Sequence, residues 1–165
     1  MICLKIKPKW GDLMGPAVDV DETDLKIIEM LEKDARVSFR EVAKQLGISE
    51  GTVYNRVKRM QEEGIIKGYS AKVDPTKLGM DLSAVIGLRV AGGHLVEVEQ
   101  EISKSKDVSC VYDVTGDYDA VIIARFRSRA ELNKFIKGVL ANPHVERSVT
   151  HVVLNTVKED FTTLA

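Results

Sequence analysis

From Asp21 to Ile66 the apolar residues recur with helical periods, and beyond that point they shift to alternation and to alternating strand and helix blocks. Asp21 reads as an N-cap, followed by the first-turn acids Glu22 and Asp24, and Leu25, Ile27, Ile28 and Leu31 then line one face. Ser38 with Glu41 three residues on has the capping-box pattern; Val42, Ala43 and Leu46 face inward, and Gly47 ends the helix. Ile48 bridges to Ser49, which caps a third helix with Val53, Val57 and Met60 on its inner side. Gly64 closes that helix, and Ile65 and Ile66 fold back on the core. A short helix, a tight glycine turn and a longer helix is helix-turn-helix spacing, winged-helix-like in outline.

Over residues 67–73 the pattern alternates, with Tyr69, Ala71 and Val73 on one side, and predicts a strand; Asp74-Pro75 opens a turn that ends near Gly79. A strand over 84–90 then leads through Gly92-Gly93 to a helix with Leu95, Val98 and Ile102 on one face. A strand over 108–114, the turn Gly116-Asp117 and the run Val121-Ile122-Ile123-Ala124 follow, the last expected to be buried on both faces or nearly so. Ser128 and Glu131 form another capping box before the stripe Leu132, Phe135, Ile136, Val139, Leu140; Asn142-Pro143 stops the helix, and a last strand runs over 148–157. The order βαββαβ is the ferredoxin-like arrangement, an antiparallel sheet with both helices on one face. A second copy of the chain is the simplest cover for the other face.

The expected fold class is therefore α+β. Residues 1–20 are a leader without sustained pattern, with Met14 as an alternative start; 21–67 are the helix-turn-helix domain, 68–79 a strand linker and 80–165 the ferredoxin-like domain. Lys plus Arg number 24 against 25 Asp plus Glu, so net charge gives no argument for nucleic acid and its distribution must carry the case. Two distant cysteines, Cys3 and Cys110, offer neither a disulfide framework nor a CxxC pair. No apolar run could span a bilayer, and the first residues lack the apolar core of a signal peptide. The expectation is a cytoplasmic protein with no membrane partner.

The outward face of the third helix carries the first candidate chemistry. Ser49, Glu50, Gly51, Thr52, Tyr54, Asn55, Arg56, Lys58 and Arg59 present hydroxyls, an amide and cations, groups that hold phosphates and read base edges of double-stranded DNA. Asn55 and Arg56 are placed to read bases, Lys58 and Arg59 to hold phosphates. A second candidate is Thr115-Gly116-Asp117-Tyr118-Asp119. Spacing alone leaves it open between a plain hairpin turn and a cradle in which a carboxylate meets an amino acid's ammonium and loop amides meet its carboxylate. His94, His144 and His151 are scattered without metal-ligand spacing, and no metal or cofactor is expected. No phosphate loop, nucleophile elbow or HExxH motif occurs, which argues against an enzyme. The sheet lacks paired aromatics for stacking RNA bases, Tyr112 and Phe126 alone being thin support.

Residues 21–36, the stretches Ile48-Ser49-Glu50-Gly51-Thr52-Val53, Arg56-Val57 and Glu63-Gly64-Ile65-Ile66, and Gly116-Asp117-Tyr118-Asp119 resemble the feast/famine regulators of bacteria and archaea, the Lrp/AsnC family. The resemblance spans residues 21 to about 160. It implies a transcription regulator that dimerises through its C-terminal sheets, assembles further to tetramers or octamers, and responds to an amino acid or related metabolite. It also places Gly116, Asp117, Tyr118 and Asp119 at the effector cleft, with Ser148 and Thr150 as neighbours. The alternative reading is an effector-independent architectural DNA-binding protein of the same fold.

Overall fold

A computed structural model describes residues 19–164, so all but the end of the leader lies outside the described residues. The chain divides into two units, residues 72–159 and a second made of the segment before them together with the residues from Asp160 onward.

In the helical unit, the Asp21 carboxylate accepts the Asp24 N–H (2.8 Å) while the Asp24 carboxylate accepts the Asp21 N–H (3.1 Å). This reciprocal box starts α1, Glu22–Lys33. Ser38 caps α2, Phe39–Leu46, by accepting the Glu41 N–H; the Glu41 carboxylate binds Gln45 instead of closing the expected box. Gly47 ends α2 at φ 67°, a left-handed conformation that favours glycine and turns the chain within one residue. Ser49 then caps α3, Glu50–Glu62. Ile27, Leu31, Val42, Ala43, Val53, Val57 and Met60 form the core, with Ile65 and Ile66 packed against it, as the periodicity predicts. The edge of Phe39 against Tyr54, with centroids 6.4 Å apart, adds an α2–α3 contact at the rim. The N–H groups of Thr163 and Leu164 donate to the Glu32 carboxylate at 2.8 and 2.7 Å, so the chain's end belongs with this unit rather than with the sheet.

The strand expected over 67–73 is absent. Alternation predicts which side chains share a face but supplies no partner for the backbone, and Tyr69 and Val73 are exposed. A single 3₁₀ turn, Thr76–Leu78, follows Pro75 and closes at Gly79.

The second unit holds β1 (Leu82–Val90), α4 (Leu95–Ile102), β2 (Val108–Asp113), β3 (Ala120–Phe126), α5 (Arg129–Leu140) and β4 (Val145–Val152). The sheet order is β2-β3-β1-β4, antiparallel throughout, which is the βαββαβ topology expected. Directly paired residues share a face. Ala84, Ile86 and Leu88 of β1 pair with Ala124, Ile122 and Ala120 of β3, and all six are buried with Val98, Ile102 and Val139 of the two helices. Phe126 and Phe135 close this core with centroids 5.4 Å apart.

The opposite face carries Val85, Val121, Ile123 and Val149, all only half-buried. The run 121–124 is therefore not buried on both sides in the single chain; it alternates between a covered and an uncovered face. The last strand starts earlier than expected because Val145 pairs with Val90, and it ends at Val152, leaving Leu154 and Val157 exposed.

Candidate DNA-binding and effector sites

Ser49 Oγ accepts the Thr52 N–H at 3.1 Å and lies 2.8 Å from Thr52 Oγ1, which fixes the first turn of α3. Ser49, Glu50, Gly51, Thr52, Tyr54, Asn55 and Lys58 are exposed along it. A Cβ built on Gly51 would meet only Ser49 Oγ at 3.8 Å, so packing within the domain does not demand glycine there. The same face keeps Lys58 only loosely engaged, 3.8 Å from Glu62. On α2, Arg40 and Lys44 are exposed cations that the sequence reading did not select.

Arg56 and Arg59 depart from expectation. Both turn toward α1. Arg56 Nη1 donates to Asp21 Oδ2 (2.7 Å) and Asp24 Oδ1 (2.9 Å); Arg59 donates to Asp24 Oδ2 (2.5 Å) and to the Asp19 carbonyl (2.9 Å). Asp24 is fully buried, so the two guanidiniums neutralise a carboxylate that could not stand alone. Burial acts to raise the Asp21 pKa, but the Asp24 N–H and the Arg56 guanidinium outweigh it and hold Asp21 below its ordinary value. The Arg56 pKa is raised in return, by its bonds to Asp21 and Asp24. Both guanidiniums, expected on the DNA-facing side, are engaged in this structure as a clamp between α1 and α3. Helical periodicity places them outward but cannot reveal that α1 lends acids to that side.

The turn over residues 115–119 is built from its flanks. Asp119 N–H donates to the Leu88 carbonyl (2.8 Å), and Val114 N–H to the Asp119 carbonyl (3.0 Å). Asp119 Oδ2 accepts the Val90 N–H at 2.9 Å, and its other oxygen faces the Arg89 guanidinium at 3.4 Å. The Asp119 carboxylate thus locks the turn to the end of β1. Asp117 is exposed at the tip beside Gly116, whose φ of 119° suits glycine. The Tyr118 ring lies over Gly87 on the uncovered sheet face; a Cβ on Gly87 would come within 2.6–2.8 Å of it.

Ser148 and Thr150 are not gathered with these residues. They pair with Leu88 and Ile86 and so share the helix-covered face, where Ser148 Oγ is buried without a hydrogen-bond partner. Near the turn, Arg147 is the register partner of Arg89, a like-charged pair that neither residue type nor spacing had marked.

Residues 20–67 match the winged helix-turn-helix DNA-binding family, and residues 83–163 match the Lrp/AsnC ligand binding domain. An uncharacterised HTH-type transcriptional regulator of Pyrococcus abyssi is 49% identical over 86% of this chain and 97% of its own length. The chain belongs to the Lrp/AsnC family.

Among solved structures of the Lrp/AsnC fold, E. coli AsnC superposes with a TM-score of 0.79 at 29% identity, covering 86% of this chain and 96% of AsnC. A Neisseria meningitidis transcriptional regulator, described as its L-Met complex, gives 0.79 at 22% identity over 87% and 96%. The protein is accordingly a DNA-binding transcriptional regulator with a ligand-binding domain, and the matched relatives are regulators rather than enzymes. Among the described residues no helix is long and apolar enough to cross a membrane.

The sequence reading set the histidines aside as scattered. The structure instead brings His94 and His144 into ring contact, with Glu97 beside them. No spacing rule could have found this pair, because the fold, not the sequence separation, brings the two loops together.

Proposed function

We propose that this Lrp/AsnC protein is a sequence-specific regulator whose assembly or DNA affinity answers to an amino acid or related small metabolite bound at the 115–119 turn. The carrying observation is the division of labour between two carboxylates: Asp119 is committed to β1, whereas Asp117 is exposed beside the turn amides. Such a turn is held rigid before any ligand arrives, and its free carboxylate suits an ammonium. Arg89 and Arg147 supply positive charge nearby for a ligand carboxylate. That the N. meningitidis relative is described as an L-Met complex supports the ligand class.

DNA contact is assigned to Ser49, Glu50, Gly51, Thr52, Tyr54, Asn55 and Lys58, with Asn55 reading a base edge and Lys58 a phosphate. The half-buried face around Val85, Val121, Ile123 and Val149 suits a second copy of the chain, so the working unit is a dimer able to build tetramers or octamers. A ligand that favours one assembly shifts the population and changes the spacing of α3 pairs on DNA.

Light scattering with each amino acid in turn tests this reading. A mass that changes with one amino acid supports it. An unchanged mass, together with unchanged DNA affinity, would leave an effector-independent DNA-binding protein.

A further inference from the structure

His94 lies between β1 and α4, His144 between α5 and β4, yet their rings stack with centroids 3.6 Å apart and planes 8° from parallel. Glu97 Oε2 stands 3.5 Å from His94 Nδ1. One donor atom from each of the three lies within 4.8 Å of the others, the single such group of His, Cys, Asp or Glu among the described residues.

The scaffold beneath them is fixed. Ala91 N–H donates to the His144 carbonyl (2.8 Å), His94 N–H to the Ala91 carbonyl (3.2 Å), and His144 N–H to Asn142 Oδ1 (2.9 Å). Asn142 is in turn bonded to Glu101 of α4 at 2.6 Å. His94 occupies the N-cap position of α4 but makes no capping hydrogen bond with its side chain, so helix capping does not account for the ring. Both rings are half-buried and Glu97 is exposed, which leaves the donor atoms reachable from solvent.

We propose that His94, Glu97 and His144 form a binding site for a divalent transition-metal cation of the zinc type. Two imidazole nitrogens and one carboxylate suit Zn²⁺, Co²⁺ or Ni²⁺, whereas Ca²⁺ and Mg²⁺ require more oxygen donors. Donors bound tetrahedrally at about 2.1 Å stand roughly 3.4 Å apart, so the widest pair closes by at most about 1.4 Å on binding. Parallel imidazole planes keep the two rings' in-plane lone pairs in separate planes, so one half-buried ring must rotate for both to address a single cation. Water completes the coordination.

The bound cation ties the start of α4 to the loop before β4. It does so beside Val90, whose N–H holds Asp119, so occupancy stiffens the frame of the 115–119 turn. Cation binding itself requires nothing of that turn as an effector site.

The test uses the full chain without an affinity tag, stripped with chelator and titrated with CoCl₂ by visible absorbance and with ZnCl₂ by calorimetry. One cation per chain is expected. His94→Ala, His144→Ala and Glu97→Gln should each weaken binding by about tenfold or more, while His151→Ala leaves it unchanged. Glu97→Gln lies on the exposed side of α4 and keeps the result readable if a loop variant folds poorly. Absence of binding by the wild type overturns the proposal. So does binding that is equal in the wild type and in folded His94→Ala or Glu97→Gln.

Discussion

The Arg56 guanidinium stands 2.9 Å from the carboxylate of Asp24, a fully buried residue, and so joins α3 to α1 across the helical core. Arg59 shares the same carboxylate, so removing one arginine leaves Asp24 half-satisfied rather than bare. Arg56→Ala is expected to lower unfolding free energy by about 1–3 kcal/mol, measured by urea denaturation. Arg56→Lys should recover only part, because an ammonium lacks the planar fork. A variant as stable as the wild type but weak on DNA would instead return Arg56 to the recognition surface.

The same clamp sets a response to acid. Asp21 is held below its ordinary value of 3.8, so its contribution to stability is present above that value and is lost as pH falls through the lower folded one. Asp21→Asn should therefore be less stable than the wild type at neutral pH. The two should converge once pH falls through the folded value, below the ordinary 3.8. Urea midpoints collected from pH 7 to pH 2.5 check this, and a difference independent of pH would contradict it.

Gly87 and Tyr118 form a matched pair on the uncovered face of the sheet. A methyl group at position 87 drives into the ring, so Gly87→Ala is expected to cost about 1–3 kcal/mol. Tyr118→Ala should make the glycine substitution far less harmful. A double-mutant cycle measures the coupling, and strict additivity would mean that the ring does not rest there in solution.

Glu99 has a carboxylate oxygen buried without a partner; burial and the nearby Asp113 charge raise its pKa. A carboxylate raised in the folded state adds no penalty below its ordinary value; its opposition to folding builds as pH rises through that value and is complete above the folded one. Glu99→Gln should raise the melting temperature at neutral pH by about 2–4 °C. The gain should fade as pH drops below the ordinary value of 4.5. Calorimetric scans at pH 7 and pH 4 provide the comparison.

The helices, their caps and the βαββαβ order were legible because each is written locally. Asp21, Ser38, Ser49 and Ser128 all cap as their positions suggest. What the sequence hid was set by neighbours brought from elsewhere in the chain. Residues 67–73 alternate like a strand, yet a ladder needs a partner. Arg56 and Arg59 sit on the outward face of α3 by period, yet α1 brings two acids to meet them. Spacing leaves the 115–119 turn open between a plain turn and a ligand cradle, and only the fold shows that the Asp119 carboxylate accepts the Val90 N–H. The family resemblance places Ser148 and Thr150 beside that turn, whereas pairing parity puts them on the helix-covered face.

The measurement that bears most directly on effector-controlled DNA binding is fluorescence anisotropy on DNA selected by the protein from a random pool. Each amino acid is added in turn to the wild type and to Asp117→Ala. The account predicts that one amino acid shifts the half-saturation point by about fivefold or more in the wild type and that Asp117→Ala abolishes the shift while keeping basal DNA affinity. Identical binding curves with every amino acid, or an undiminished shift in the variant, would contradict it.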